Sequence, residues 1–173
     1  MAKKQLRWQL FPRSLKLPTQ LELLIHVFEK NFESISSFEQ KGQSSDQALA
    51  KLRNDLVSID FKVESGKTSE QKVNVPVLFG EGGKVLKSFD ADAYSEKLKT
   101  VLEVEAGRAY ANNQFLKDIF QASVMQNIDY CAIAVRQSYR DVNDFEKIYA
   151  FLDTLYSSNR LSLPLVGLLL IGY

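Results

Sequence analysis

The chain has very little of the chemistry that builds thiol and imidazole sites. Its 173 residues include one cysteine, Cys131, and one histidine, His26. A single cysteine excludes an intramolecular disulfide and a zinc site made of several thiolates, and it is typical of a reducing compartment such as the cytoplasm. A single histidine excludes a histidine-rich metal site and argues against a Ser-His-Asp triad. His26 falls in a helical run, where we expect a partly exposed structural side chain.

The sequence also lacks long apolar runs, a secretory leader and a charge excess of either sign. A bilayer span needs roughly 20 apolar residues, and the apolar tail at residues 163–171 is too short. The start of the chain is basic, but no apolar segment of the secretory type follows it. With a net charge of +1, the chain has no overall basic field, although a local basic patch is compatible with that balance. We therefore expect no membrane partner.

Composition and length together predict one folded domain over residues 1–173. Hydrophobic residues make up 45% of the chain and charged residues 25%, close to the average of folded globular domains. Residues 1–18 form a basic arm, which we interpret either as a nucleic-acid contact or as a segment that packs on the body through Trp8 and Phe11. The cations that cluster in this arm include Lys3, Lys4, Arg7 and Arg13.

Apolar residues at intervals of three and four predict four helices. The first begins at Thr19, and Glu22, three residues later, is the expected partner in a capping box. The four helices are predicted from Thr19 to before Gly42, from residues 44–46, after Asn112 or Asn113 as the cap, and over residues 142–156.

Between the second and third helices the apolar period changes to two, which predicts three or four antiparallel strands. Residues 84–94 and 100–106 are expected to pair as an acidic hairpin. Continuous apolar runs at residues 130–135 and 165–171 predict strands that are buried on both faces. The order of elements therefore predicts an α/β fold, in which a mixed β-sheet is flanked by helices.

The predicted hairpin gathers carboxylates. Glu103 and Glu105 are two residues apart and share one face of their strand, and Asp90 and Asp92 alternate in the same way on the other strand. Carboxylates that lie so near one another repel unless a cation lies among them. Oxygen ligands of this kind suit Mg²⁺, Mn²⁺ or Ca²⁺. The alternative interpretation is an ordinary solvated strand face.

This order of acids and elements resembles the PD-(D/E)XK nuclease superfamily over roughly residues 55–140. In that fold one strand supplies an acid and the next supplies an acid-x-lysine pair. Here Glu105 stands in the lysine place, and Glu103-Val104-Glu105 is similar to the BamHI- and BglII-type branch of restriction endonucleases. Residues 115–120 lie where that branch has an Asp-containing helix, and residues 130–135 resemble its next core strand. The resemblance implies a restriction-endonuclease-like sheet.

The resemblance also implies roles for the four acids. Asp92, or Asp90 two residues earlier, binds the metal beside the scissile phosphate; Asp92 is favoured because it lies nearer the turn. Glu103 is the second metal ligand. Glu105 orients or deprotonates the attacking water. The metal implied is Mg²⁺, or Mn²⁺ in its place.

The absence of the usual lysine leaves its role to another residue. Lys117, in the following helix, is the expected substitute, while Arg108 and Gln114 are expected to contact phosphate. Each of these three is also compatible with an ordinary surface side chain. Acids of the first helix, Glu29 or Glu33, are open as further ligands. Candidates for backbone contacts only are Glu64, Lys67 and Lys72.

The resulting expectation is a divalent-metal-dependent endonuclease of the restriction type that hydrolyses DNA phosphodiester bonds. Cleavage of both strands of a duplex suits two-fold symmetry, so a homodimer is expected. Two alternatives stay open. The first is a non-catalytic subunit or DNA-binding scaffold on the same fold, which the missing lysine and the near-neutral charge favour. The second is an α/β interaction domain whose acids are ordinary surface.

Overall fold

A computed structural model describes residues 4–138 and 142–173 of the chain. Within them, a six-stranded mixed sheet and a two-stranded sheet are flanked by four helices, which confirms the predicted α/β fold class. The strands are β1 (Arg7–Phe11), β2 (Lys62–Val63), β3 (Val73–Phe79), β4 (Val85–Ala91), β5 (Ala93–Ser95), β6 (Thr100–Glu105), β7 (Tyr130–Val135) and β8 (Gly167–Gly172), and the helices are α1 (Thr19–Ile35), α2 (Ser45–Ser58), α3 (Gln114–Val124) and α4 (Asp144–Ser158).

The main sheet has the strand order β1-β8-β7-β6-β5-β2. Its centre is parallel, since β6 pairs with β7 and β7 with β8 in the same direction, whereas the outer pairs are antiparallel. Residues of α1 and α2 pack on one face of the sheet, and residues of α3 and α4 pack on the other. The sheet therefore separates two apolar cores.

Strand β7 shows why the central strands are continuously apolar. Ile133 packs in the core that contains α3 and α4, whereas Ala132 and Ala134 pack in the core that contains α1 and α2. A strand covered on both faces has no solvated side on which to place polar residues. The buried strand predicted at residues 130–135 is confirmed, and Cys131 is fully buried within it.

The two helices of the first half begin in different ways. At α2, the Ser44 side chain accepts from the Gln47 N–H while the Gln47 side chain accepts from the Ser44 N–H, which is a complete capping box. At α1, the residue that precedes the helix is Pro18, and no side chain caps it. The capping box predicted between Thr19 and Glu22 is therefore wrong, because Thr19 already lies inside the first turn.

The predicted acidic hairpin is only partly formed. Residues 84–94 do not make one strand: β4 ends at Ala91 and pairs with β3 in the separate two-stranded sheet, whereas β5 starts at Ala93 and pairs with β6. The chain changes partner at Asp92. Within residues 84–94, the β5 segment alone pairs with β6, the strand that carries Glu103 and Glu105.

The predicted basic arm contains an edge strand. β1 pairs antiparallel with β8 over five residues, and Phe11 is fully buried while Trp8 remains 40% exposed. The interpretation in which this segment packs on the body is therefore correct for Phe11. No helix within the described ranges is both long and apolar enough to cross a membrane.

Candidate active site

Asp92 occupies the one-residue gap between β4 and β5. Its Oδ2 accepts a hydrogen bond of 2.7 Å from the backbone N–H of Val104, so the side chain reaches across to β6 beside Glu103. An aspartate is short enough to make this contact directly from the strand backbone. The interruption of strand pairing at Asp92 thus places its carboxylate against β6.

Glu103 and Glu105 lie on the β6 face opposite Leu102 and Val104. Leu102 and Val104 pack in the core with α1 and α2, as the alternation of a strand predicts. Glu103 is 9% exposed, and Glu105 is partly buried near the carboxyl end of the strand. Two carboxylates are therefore held within the α3 side of the sheet.

Helix α3 adds a further acid that had no role in the sequence interpretation. Asp118 is 2% exposed, and its Oδ1 lies 3.4 Å from Lys117 Nζ and 3.5 Å from Gln114 Nε2. The available signal was its position, three residues after Phe115 and directly before Ile119, both buried. An acid on the apolar face of a helix needs a partner there.

Burial raises the pKa of all four acids. It raises the pKa of Asp92 to about 6, although the Val104 N–H opposes the change. Burial, together with the negative charges of Asp118 and Asp92, raises the pKa of Glu105 to about 8. The pKa of Glu103 rises well above its ordinary value, and that of Asp118 also rises, in both cases first through burial. Each acid therefore titrates under the influence of its neighbours.

Lys117 is the cation that offsets this repulsion. Its positive charge lowers the pKa values of Glu103, Glu105 and Asp118. The lysine is exposed at its end of the helix, so it compensates from the solvent side. One half-exposed ammonium offsets only part of the repulsion among four carboxyls, so the metal-free cluster keeps protons at neutral pH that isolated carboxyls would lose, as the raised pKa of Glu105 shows.

One oxygen of the cluster lacks a donor altogether. Asp118 Oδ2 is buried without a hydrogen-bond partner in the part of the chain that the structure describes. The neighbouring Glu105 carboxyl can donate to Asp118 only when it carries a proton. A buried carboxylate oxygen without a donor is costly, so the cluster is completed by either a proton or a cation.

The donor chemistry of the cluster fits a hard divalent cation, since every ligand would be oxygen. Asp118 Oδ2, which has no hydrogen-bond partner among the described residues, is a further oxygen that could bind a cation. The side chains do not converge, however: within residues 4–138 and 142–173, no group of three or more His, Cys, Asp and Glu residues is arranged to hold a metal ion. Ligation requires side-chain rotation towards a common point.

Glu64, directly after β2, is a second acid that the sequence interpretation undervalued. Its backbone N–H donates to the Asp92 carbonyl over 2.8 Å, and its negative charge contributes to the raised pKa of Asp92. Its carboxylate is 2.8 Å from Lys67 Nζ, which also contacts Asp46. Glu64 therefore borders the site but already has a cation partner.

The remaining predicted site residues lie outside the cluster. Asp90 pairs with Lys72 on the two-stranded sheet, and its side chain is 42% exposed. Arg108 is exposed in the loop after β6, where its own backbone adopts the left-handed conformation. Glu29 and Glu33 are exposed on α1. Of the two aspartates that the sequence left open, with Asp92 favoured, the structure brings only Asp92 to Glu103.

Two sequence comparisons with known proteins found no match. No family model matches the chain, and no curated protein sequence matches it significantly.

Proposed function

We propose that the chain hydrolyses phosphodiester bonds of DNA with the help of a divalent cation, Mg²⁺ or Mn²⁺. The observation that carries the proposal is the buried cluster of Asp92, Glu103, Glu105 and Asp118, whose pKa values are all raised. Acids whose pKa values are raised by desolvation and by specific charged neighbours are candidates for a functional site, because catalytic groups need shifted pKa values. The order of elements supports the proposal. Asp92 adjoins β5, which pairs antiparallel with β6 and its Glu103-x-Glu105 pair, and helix α3 and the parallel strand β7 follow.

The position of each residue in the cluster suits it to a different role. Asp92 and Glu103, which are neighbours across the junction of β5 and β6, would hold the cation. Glu105, with a pKa of about 8, can accept a proton from water near neutral pH, where a general base is most effective. Lys117, close to these acids, would face the phosphate with its positive charge. A bound cation would neutralise the phosphate and acidify water.

The central test replaces single carboxylates. Asp92→Asn keeps a carbonyl oxygen for the Val104 N–H, so the strand contact survives while the charge is lost. We expect plasmid cleavage in Mg²⁺ or Mn²⁺ to fall by about 100-fold or more, as is usual when an electrostatic catalytic group is removed. Glu103→Gln should behave in the same way.

Asp90→Asn is the matched control, because Asp90 is the same residue type two positions away and lies outside the cluster. It should retain nearly full cleavage activity. If a clean preparation of the Asp92→Asn and Glu103→Gln double variant still cleaves like the unchanged chain, the proposed site is wrong.

A second candidate function is a non-catalytic, nucleic-acid-binding subunit on the same fold. Two observations favour it: the glutamate in the lysine place and the lack of convergent ligands among the described residues. Metal titration separates the two functions. A cation that binds only the native state raises its apparent stability, by about 2.7 kcal/mol at 100 times the Kd. Under the nuclease proposal, Mn²⁺ or Mg²⁺ raises the Tm of the unchanged chain but not of Asp92→Asn; no shift in either supports the subunit.

A further inference from the structure

A cavity of about 850 Å³ opens where β6 and β7 end, and its charged lining is entirely basic. Ala106, the residue after β6, and Arg136, the residue after β7, lie in its wall. Lys4 and Lys41 supply the other two charges. Three cations around one cavity are notable in a chain whose net charge is +1.

The cations of this cavity, which we call the basic cavity, are held in different ways. Arg136 is 2% exposed and donates to the Gln43 carbonyl, so its charge is fixed in the wall. Lys4 is bound to Glu39 over 2.9 Å, and this carboxylate offsets one charge. Lys41 is exposed at the rim. The lining side chains and Glu39 together carry three positive charges and one negative charge.

Helix α2 adds to this positive charge. Ser44, its N-cap residue, lines the basic cavity, and the helix runs for 14 residues. The first N–H groups of a helix lack partners within it and carry a partial positive charge. The hydroxyls of Ser44 and Ser138 line the same wall, whereas the Ser37 hydroxyl already donates to the Tyr173 carbonyl. Cations, hydroxyls and a helix start are the donors that phosphate groups select.

The basic cavity continues into a second one. A space of about 570 Å³ shares residues 41–43 with it and extends along α2 to Lys51. Together they offer more room than one phosphate needs, with cations spaced along it. That shape suits a chain of phosphates better than a free ion.

We propose that the basic cavity binds the sugar-phosphate backbone of a nucleic acid. The choice of nucleic acid as the source of phosphate rests on the proposed function, because β6 carries Glu103 and Glu105 and enters the cavity at its next residue, Ala106. A backbone seated there would run along the same end of the sheet as Glu105. Phosphate contacts of this kind position a duplex without reading its sequence.

The test compares variants that remove equal charge. Lys4→Gln/Lys41→Gln takes two cations from the cavity, and Lys16→Gln/Lys84→Gln takes two exposed cations from outside both cavities. Binding of a labelled DNA duplex is measured in EDTA over a range of salt. We expect the cavity variant to lose about tenfold in affinity and its log–log salt slope to fall by about two, one per phosphate contact. The control variant should change much less.

Glu39→Gln provides a change of the opposite sign. Removing the carboxylate that pairs with Lys4 leaves the cavity more positive, so duplex affinity should rise. Equal affinities for the cavity variant and its control would overturn the proposal. So would a result in which inorganic phosphate raises the Tm of the unchanged chain but not of Lys4→Gln/Lys41→Gln while duplex binding is unaffected, since that outcome assigns the cavity to free phosphate.

The proposal and the nuclease function fail separately. If no metal supports cleavage yet duplex binding depends on Lys4 and Lys41, the phosphate site stands and the nuclease does not. If Asp92→Asn abolishes cleavage while both lysine double variants bind duplex equally, the nuclease stands and the basic cavity is not its backbone contact.

Discussion

Two aspartates only two positions apart, Asp90 and Asp92, show how surroundings set the behaviour of one residue type. Asp90 pairs with Lys72 and is 42% exposed at its side chain. Asp92 is partly buried, lies among other acids and has a pKa raised to about 6. Water and a cation stabilise the first charge, whereas the second loses water and gains like charges. Local sequence does not distinguish them.

The raised pKa values predict how stability depends on pH in the metal-free chain. Folding raises the pKa of Glu105 from 4.5 to about 8 and the pKa of Asp92 from 3.8 to about 6. At a pH between the unfolded and the folded pKa of each acid, the folded state keeps a proton that the unfolded state has lost. Stability must then fall as the pH rises through this window. We expect a loss of roughly 2–4 kcal/mol between pH 5 and pH 8, measured by urea unfolding in EDTA.

Glu105→Gln isolates the contribution of one side chain to that slope. A glutamine amide can donate to Asp118 as a protonated Glu105 does, so the variant should be more stable than the unchanged chain at pH 8 and lose much less stability from pH 5. Glu33→Gln, an exposed acid on α1, is the control and should keep the full slope. An unchanged slope in Glu105→Gln would contradict the assigned pKa shift.

At the scale of elements, the partner switch of the chain at Asp92 builds the site. β4 leaves with β3 while β5 joins β6, and the aspartate between them bonds across to Val104. A continuous strand would alternate its side chains strictly and could not aim Asp92 in this way. The predicted single strand over residues 84–94 missed this break because the apolar alternation continues through it.

The two helix starts give an element-scale prediction. Ser44 makes both halves of a capping box with Gln47, whereas Thr19 makes no capping bond. Ser44→Ala should lower the free energy of unfolding by about 1 kcal/mol. Thr19→Ala should stay within about 0.5 kcal/mol of the unchanged chain, as uncapped surface positions do. Urea denaturation of both variants measures the difference, and equal losses would show that the cap assignment at α2 is wrong.

At the scale of the whole molecule, the main sheet lies between two charged regions. The acid cluster lies on the side of α3, while the basic cavity lies beside the start of α2, and both meet the end of β6. Strands of a central sheet bring such distant parts of the chain together with little freedom to move. The proposed catalytic and phosphate-holding groups are thus fixed relative to each other.

Concerted cleavage of both strands of a duplex suits two sites related by two-fold symmetry, so the proposed nuclease function predicts a homodimer. With Mg²⁺ or Mn²⁺, supercoiled plasmid should become linear with little accumulation of nicked circle, and sedimentation should show two chains on each short duplex. A chain that sediments as one copy on duplex and only nicks plasmid would contradict the homodimer expectation, while leaving the hydrolysis itself in place.

Much of the fold was readable from pattern alone. The helical period placed the starts of all four helices within two residues of the observed ones, but α1 ends at Ile35, well before the predicted end near Gly42. The apolar run at residues 130–135 identified β7. The pattern also placed Glu103 and Glu105 on one face of β6. These features are local, since they depend on which faces of one element are buried.

The sequence by itself determined the element types, the two-sided burial of the central strands and the presence of an acid-x-acid strand. Only the tertiary structure decided that Asp92 and not Asp90 reaches that strand, that Asp118 lies beside its acids with Glu64 at the border, and that Lys4, Lys41 and Arg136 share one cavity. The physical reason is that periodicity records the environment of one element, whereas a site is made by charges that are far apart in the chain and share a desolvated space. Their mutual repulsion and burial exist only after the sheet has formed.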